Sequence, residues 1–110
     1  MRPYYLLKRD PEQRFVFSLV GADQEVVLTS EGYERKSSAL KGIRAVQRNC
    51  LRPERYRALS SADRGSYFVL RSTNNKIIGI SRMFPDARSR SDGMEAVRRA
   101  GGTVRVQDLT

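Results

Sequence analysis

The stretch FSLVGADQEVVLTSEGYERKSSALKGIRAVQR, residues 17–48, returns 51 positions later as FVLRSTNNKIIGISRMFPDARSRSDGMEAVRR, residues 68–99. No gap is needed. Phe17 falls on Phe68, Leu19 on Leu70, Val26-Val27 on Ile77-Ile78 and Ser30 on Ser81. Tyr33 falls on Phe84, Ser38 on Ser89, Gly42 on Gly93, Ile43 on Met94 and Ala45-Val46 on Ala96-Val97. Further upstream, Tyr5 falls on Tyr56. Apolar, glycine and hydroxyl positions stay in phase throughout, which marks a repeat architecture. The 110 residues therefore read as one domain made of two copies, residues 1–54 and 55–110.

Within each copy the pattern predicts strand, strand, strand, helix. Tyr4 to Lys8 reads as a first strand, closed by the turn pair Asp10-Pro11. From Arg14 to Leu19 apolar residues alternate, with Phe15, Phe17 and Leu19 on one face. Gly21-Ala22-Asp23 makes a hairpin turn into a third strand, Glu25 to Thr29. In the second copy Arg55 to Leu59, Ser66 to Leu70 and Lys76 to Ser81 take these places, with Thr73-Asn74-Asn75 as the turn. The first helix is expected to start near Ser37 or Ser38, both good caps, and its stripe is Ala39, Ile43, Val46 and Cys50. The second has capping-box spacing at Ser89 and Asp92, with Met94, Val97 and Ala100 inward. Thr103 to Val106 echoes the start of a third copy and reads as a closing edge strand. The pattern is thus two βββα repeats followed by a C-terminal edge strand.

Gly42 and Gly93 sit inside the helices, where glycine costs up to about 1 kcal/mol against alanine. Bearing that cost at matched positions points to close approach of the helix backbone to a strand or to the other helix, with a ligand touching the bare backbone as the rival reading.

Leu28-Thr29-Ser30-Glu31-Gly32-Tyr33, followed by Gly42-Ile43-Arg44-Ala45-Val46-Gln47-Arg48-Asn49, resembles the YegP-like tandem-repeat domain family. Ile78-Gly79-Ile80-Ser81-Arg82-Met83-Phe84 and Gly93-Met94-Glu95-Ala96-Val97 repeat it more loosely. The resemblance runs from Tyr4 to Thr110. It implies an α+β fold, an antiparallel sheet with one helix per repeat and the two repeats related by pseudo-two-fold symmetry, and no catalytic residue to carry over. This chain departs from the family's asparagine-glycine turn, having Asp23-Gln24 and Asn74-Asn75 instead, and its arginine load is heavier than usual.

Several chemistries are disfavoured by composition. There is no histidine, so a serine nucleophile at Ser30 or Ser81 lacks its usual base, and most zinc sites are excluded. Lys8, Lys36, Lys41 and Lys76 do not recur between copies, and Gly79-Ile80-Ser81 lacks the second glycine of a nucleophile elbow. Glu31 and Glu34 become Arg82 and Pro85 in the second copy, so no paired carboxylates repeat. The two serines are expected to bond backbone at the strand-to-helix junction. The single cysteine, Cys50, ends an apolar stripe and reads as a small buried hydrophobe. No phosphate-binding glycine loop, metal cluster or cofactor motif is present, and no enzymatic activity is expected. No apolar run approaches the roughly 18 residues of a membrane span, and the opening residues are too short an apolar stretch for a signal peptide, so the expected location is cytoplasmic.

What remains is charge. Lysine and arginine number 21 against 12 acidic residues, a net charge of +9, and 17 of the 21 are arginine. Such a balance favours polyanionic partners, nucleic acid first, although an arginine-rich composition also follows from a GC-rich genome. The excess is spread over both copies, so it belongs to the folded body. Arg35, Lys36, Lys41, Arg44 and Arg48 cluster around the first helix, and Arg88, Arg90, Arg98 and Arg99 around the second. Helices lying side by side would join these into one basic surface for RNA or another polyanion. Tyr4, Tyr5, Tyr56 or Tyr67 on a sheet could add a base-stacking platform. The alternative is a protein-interaction or homodimerisation module with no nucleic-acid binding.

Overall fold

The computed structural model describes residues 1–110. Three strands, β1 (Tyr4–Arg9), β2 (Phe15–Val20) and β3 (Val26–Thr29), lead to helix α1 (Lys36–Asn49). After a single 3-10 turn (Pro53–Arg55), β4 (Tyr56–Ser61), β5 (Gly65–Arg71), β6 (Ile77–Ile80) and α2 (Ala87–Ala100) repeat the order, and β7 (Val106–Asp108) closes the chain. The 51-residue offset carries β3 onto β6 and α1 onto α2 without adjustment. The seven strands form one sheet in the order β4-β5-β6-β3-β2-β1-β7. The copies therefore join at the middle, where β3 and β6 meet antiparallel with Thr29 opposite Ile80.

Local chemistry explains most boundaries. Both β2–β3 and β5–β6 turn through a residue at positive φ, Gln24 at 70° and Asn75 at 69°. Asp23 Oδ1 and Asn74 Oδ1 each accept the backbone N–H two residues on, which tightens those turns. The helix starts differ from expectation. Ser37 and Ser38 lie inside α1, whose cap residue is Arg35 with no side-chain cap bond. In α2 the cap is Asp86, which accepts from Ser89 N at 2.8 Å, so Ser89 lies inside the helix and Asp92 is not its capping-box partner. The closing strand starts three residues later than expected. Thr103 is held in the crossing, its N–H on Ala100 O and its hydroxyl on Pro3 O. β7 pairs with β1 in parallel, the one parallel pairing in an otherwise antiparallel sheet.

Both helices contribute to one continuous core. Ala39, Ile43, Val46 and Cys50 of the α1 side and Val97 and Ala100 of α2 are buried against Tyr5, Leu7, Phe17, Leu19, Leu28, Phe68 and Leu70. Val27 and Met94 are partly buried at its margin. The repeat symmetry extends to single atoms. Phe17 N–H donates to Ser30 Oγ at 3.0 Å and Phe68 N–H to Ser81 Oγ at 2.9 Å. Each serine then donates to the next carbonyl, so both hydroxyls serve the strand-to-helix junction. Tyr56 Oη donates to Cys50 O and Tyr5 Oη to Gly101 O, both at 2.6 Å. Each first-strand tyrosine thus satisfies a free carbonyl where the helix of the other copy ends.

The helix glycines make room for aromatic rings rather than for strand backbone or the other helix. A Cβ on Gly42 would lie 2.8 Å from Phe17 Cε2 and 2.9 Å from Tyr33 Oη. On Gly93 it would lie 2.4 Å from Phe84 Cζ. Tyr33 stacks on Phe17 and Phe84 on Phe68, at interplanar angles of 6° and 13°. The helices do approach each other at their C-terminal ends, where a Cβ on Gly101 would meet Cys50 Cβ at 2.7 Å. Neither helix is long and apolar enough to cross a membrane.

Candidate functional site

The nine basic residues expected to form a surface divide into two groups. On α1, Lys41, Arg44 and Arg48 are exposed, follow one another at helical spacing along one side, and have no carboxylate within 4.0 Å. Arg35, at the start of that helix, is exposed and unpaired as well. Lys36 is engaged, its Nζ lying 2.5 Å from Asp108 Oδ2 of β7. The bonds from Lys36 and Thr110 hold the Asp108 carboxyl down at about 2.

The residues of α2 are mostly spent within the protein. Arg90 Nη1 donates to Leu59 O at 3.0 Å. Arg98 is half-buried, with its guanidinium 5.6 Å from the Tyr56 ring and 3.3 Å from Glu95. Arg99 shares Glu95 at 3.6 Å. Arg88 alone is exposed and unpaired. Among these nine residues the unpaired charge is therefore centred on α1 and not shared evenly between two helix faces.

The tyrosine platform is also divided. Tyr5 is fully buried, and Tyr5 and Tyr56 both direct their hydroxyls to helix ends. Only Tyr4 and Tyr67 remain half-buried on the opposite side of their strands.

Two clefts flank the helices at positions related by the repeat. The first, of about 450 Å³, lies between α1 and the β5–β6 turn. Ser38, Lys41, Ala45 and Arg48 of α1 form one wall, and Asn74, Lys76 and Ile78 form the other. Tyr33 and Gly42 line it as well. No acidic residue does. The second cleft, of about 260 Å³, lies between α2 and the β2–β3 turn. There Asp92 replaces Lys41, Glu25 replaces Lys76, Asp23 replaces Asn74 and Phe84 replaces Tyr33. The carboxylates of the second cleft are not gathered into a group able to hold a metal ion.

Lys76, Asn74 and Tyr33 are the contributors that charge counting along the helices misses. Lys76 is forty residues from the start of α1, on the other copy's turn. A signal for it exists in the repeat itself, because Lys41 against Asp92 and Lys76 against Glu25 are charge reversals at matched positions.

A family profile described as a domain of unknown function (DUF1508) matches residues 10–57 and again 60–108. Each match begins just before the second strand of a copy: the first spans β2, β3 and α1 and ends at the start of β4, and the second spans β5, β6, α2 and β7. The chain is 36% identical to the UPF0339 protein YegP of Escherichia coli K12 over 110 residues, all of both chains. It is equally identical to a UPF0339 protein of Acinetobacter baylyi, over all of this chain and 99% of that one. Two solution NMR structures superpose closely. A UPF0339 protein of Shewanella oneidensis gives a TM-score of 0.93 at 36% identity, over all of this chain and 93% of that one. The protein of unknown function yegP from E. coli gives 0.94 at 36% identity, over all of this chain and 95% of that one.

Proposed function

This chain belongs to the DUF1508 family, and we propose that it is a non-catalytic binding module that takes RNA or another nucleic acid on the basic face of α1. The supporting observation is the distribution of unpaired charge. Lys41, Arg44 and Arg48 lie along one side of α1 without carboxylate partners, Arg35 at its start is unpaired as well, and Lys76 extends the patch from the β5–β6 turn. Such a patch contacts phosphates without reading sequence. The non-catalytic part rests on the absence of histidine and on the serine hydroxyls being committed to backbone. The proposed setting is the cytoplasm, where such a partner is found.

The test is an oligonucleotide shift assay across a salt series. The wild type is expected to bind at low salt with a log–log slope of about −3 to −4, as four phosphate contacts require. Arg35→Glu, Lys41→Glu, Arg44→Glu and Arg48→Glu together are expected to remove binding and leave the circular dichroism spectrum unchanged. Binding that survives this reversal overturns the reading.

One observation favours a second reading, a protein-interaction or homodimerisation module. The outer edge of β4 is unpaired, whereas the matching edge of β1 is covered by β7. Open edges accept strands from partners. Sedimentation that finds only monomer at high protein concentration would remove the homodimer form of it.

A further inference from the structure

We propose that the cleft between α1 and the β5–β6 turn is a binding site for a phosphate monoester, either a free nucleotide-sized molecule or the terminal phosphate of a nucleic-acid strand. This deepens the nucleic-acid reading and rests on it only in the second of those forms. Lys41 and Arg48 reach the cleft from one wall and Lys76 from the other, and no carboxylate lies within 4.0 Å of any of them. Three cations facing one concavity with no anion present leave a local charge that a dianion compensates better than a monoanion does.

The neutral lining supplies hydrogen-bond donors. Tyr33, Ser38 and Thr73 line the cleft, and no hydrogen bond within the protein engages their hydroxyls. Burial, with a smaller contribution from Glu31, raises the Tyr33 hydroxyl above its ordinary value. It therefore stays a donor throughout the physiological range. Gly42 lies in the floor, where a side chain would close the space beside Tyr33. The volume of about 450 Å³ falls within the roughly 300–1,000 Å³ of small-ligand sites.

The matched cleft beside α2 acts as an internal control. It keeps Ser89, Gly93 and Ala96 where the first has Ser38, Gly42 and Ala45, so the helix wall is retained. Asp23, Glu25 and Asp92 line it with Arg82 as its one cation, so the cationic excess is lost, and the Tyr33 hydroxyl is absent at Phe84. If fold alone required Lys41 and Lys76, the carboxylates at the same places in the other copy would disrupt it. The cations are thus free of a folding role.

The experiment is an amide NMR titration of the whole chain with adenosine 5′-monophosphate, adenosine, and a decanucleotide with and without a 5′-phosphate. Adenosine 5′-monophosphate is expected to shift Ser38, Gly42 and Asn74 to Lys76 saturably, while adenosine does not and Glu25 and Asp92 stay unmoved. Lys41→Asp with Lys76→Glu is expected to weaken binding by about tenfold or more. Both side chains are exposed, so the fold should persist. Tyr33→Phe, which installs the residue of the other copy, is expected to weaken it about three- to tenfold with stability kept.

Absence of saturable shifts with every phosphorylated probe, or equal shifts at both clefts, overturns the site. So does a folded double variant that binds as the wild type. If the 5′-phosphorylated and unphosphorylated decanucleotides bind equally, and only reversal on α1 outside the cleft releases them, the strand-terminus form fails while the nucleic-acid reading stands. If neither decanucleotide binds but adenosine 5′-monophosphate saturates the cleft, the site stands and the nucleic-acid reading fails.

Discussion

Around α1 and α2 the chain builds the same wall twice and then decorates it oppositely. Ser38, Gly42 and Ala45 have their counterparts in Ser89, Gly93 and Ala96, and Ile78 faces the first cleft as Val27 faces the second. Those positions touch neighbours that the fold cannot do without. Lys41 and Lys76 become Asp92 and Glu25, and none of these four side chains forms an ion pair within the protein. The difference separates two kinds of residue within one molecule. What is shared between copies is architecture, and what is inverted is available for recognition.

The comparison breaks first at the shared glycines. Gly42→Leu and Gly93→Leu are each expected to cost about 3 kcal/mol or more, since the ring they would strike is stacked in the core. Thermal denaturation checks this. A Gly42→Leu variant as stable as the wild type would show that the shared wall is not structural.

The next effect distinguishes the two helices. Arg98→Glu is expected to lose about 1–2 kcal/mol, because the guanidinium over Tyr56 is lost and a new carboxylate faces Glu95. Arg44→Glu on the exposed side of α1 should change stability by no more than about 0.5 kcal/mol. Equal losses in urea titrations would mean that both helices use their arginines alike.

The matched turns sharpen the comparison at smaller scale. Gln24 and Asn75 occupy the same left-handed conformation, which asparagine tolerates better than glutamine. Gln24→Gly is therefore expected to stabilise by about 1 kcal/mol, and Asn75→Gly by less. A larger gain at Asn75 would contradict the strain assigned to Gln24.

The helix starts differ in their response to acid. Bonds from the Ser89 hydroxyl and amide lower the Asp86 carboxyl below its ordinary value. A group lowered on folding contributes stability that is complete above its unfolded value and is lost as pH falls through its folded one. Amide exchange in the first turn of α2 should therefore speed up below about pH 4 relative to that of α1, which lacks a carboxylate cap. Parallel behaviour of the two helices would argue against the cap. The smallest effect is a gain. Glu25→Lys with Asp92→Lys should give the second cleft weak, millimolar affinity for adenosine 5′-monophosphate, because the wall is already in place. Failure to gain any would show that Tyr33 and the larger volume of the first cleft matter more than charge.

Much of this was legible before any coordinates. The 51-residue phase placed both hairpins and both helices, and the stripe Ala39, Ile43, Val46 and Cys50 is buried throughout. Helix starts were less legible. Serine at 37 and 38 has a strong cap preference, yet the bridge of Tyr33 to Phe15 fixes where the chain leaves the sheet, and the helix then begins at Lys36. On the functional side, the arginines of α2 looked equivalent to those of α1. Whether an exposed helical position meets solvent, a tyrosine ring or a carbonyl depends on neighbours far along the chain, as Arg98 and Arg90 show.

The sequence by itself determined the two copies, their strand and helix order, the buried stripe and the excess of positive charge. These follow from period, turn chemistry and composition, all of them local or additive properties. Only the tertiary structure decided that β3 and β6 would join the copies, that β7 would lie parallel to β1, and that Lys76 would face Lys41 across one cleft. Pairing of distant strands fixes which turn faces which helix. That geometry turned a spread of charge into one cleft with cations alone and one in which carboxylates outnumber the single cation Arg82.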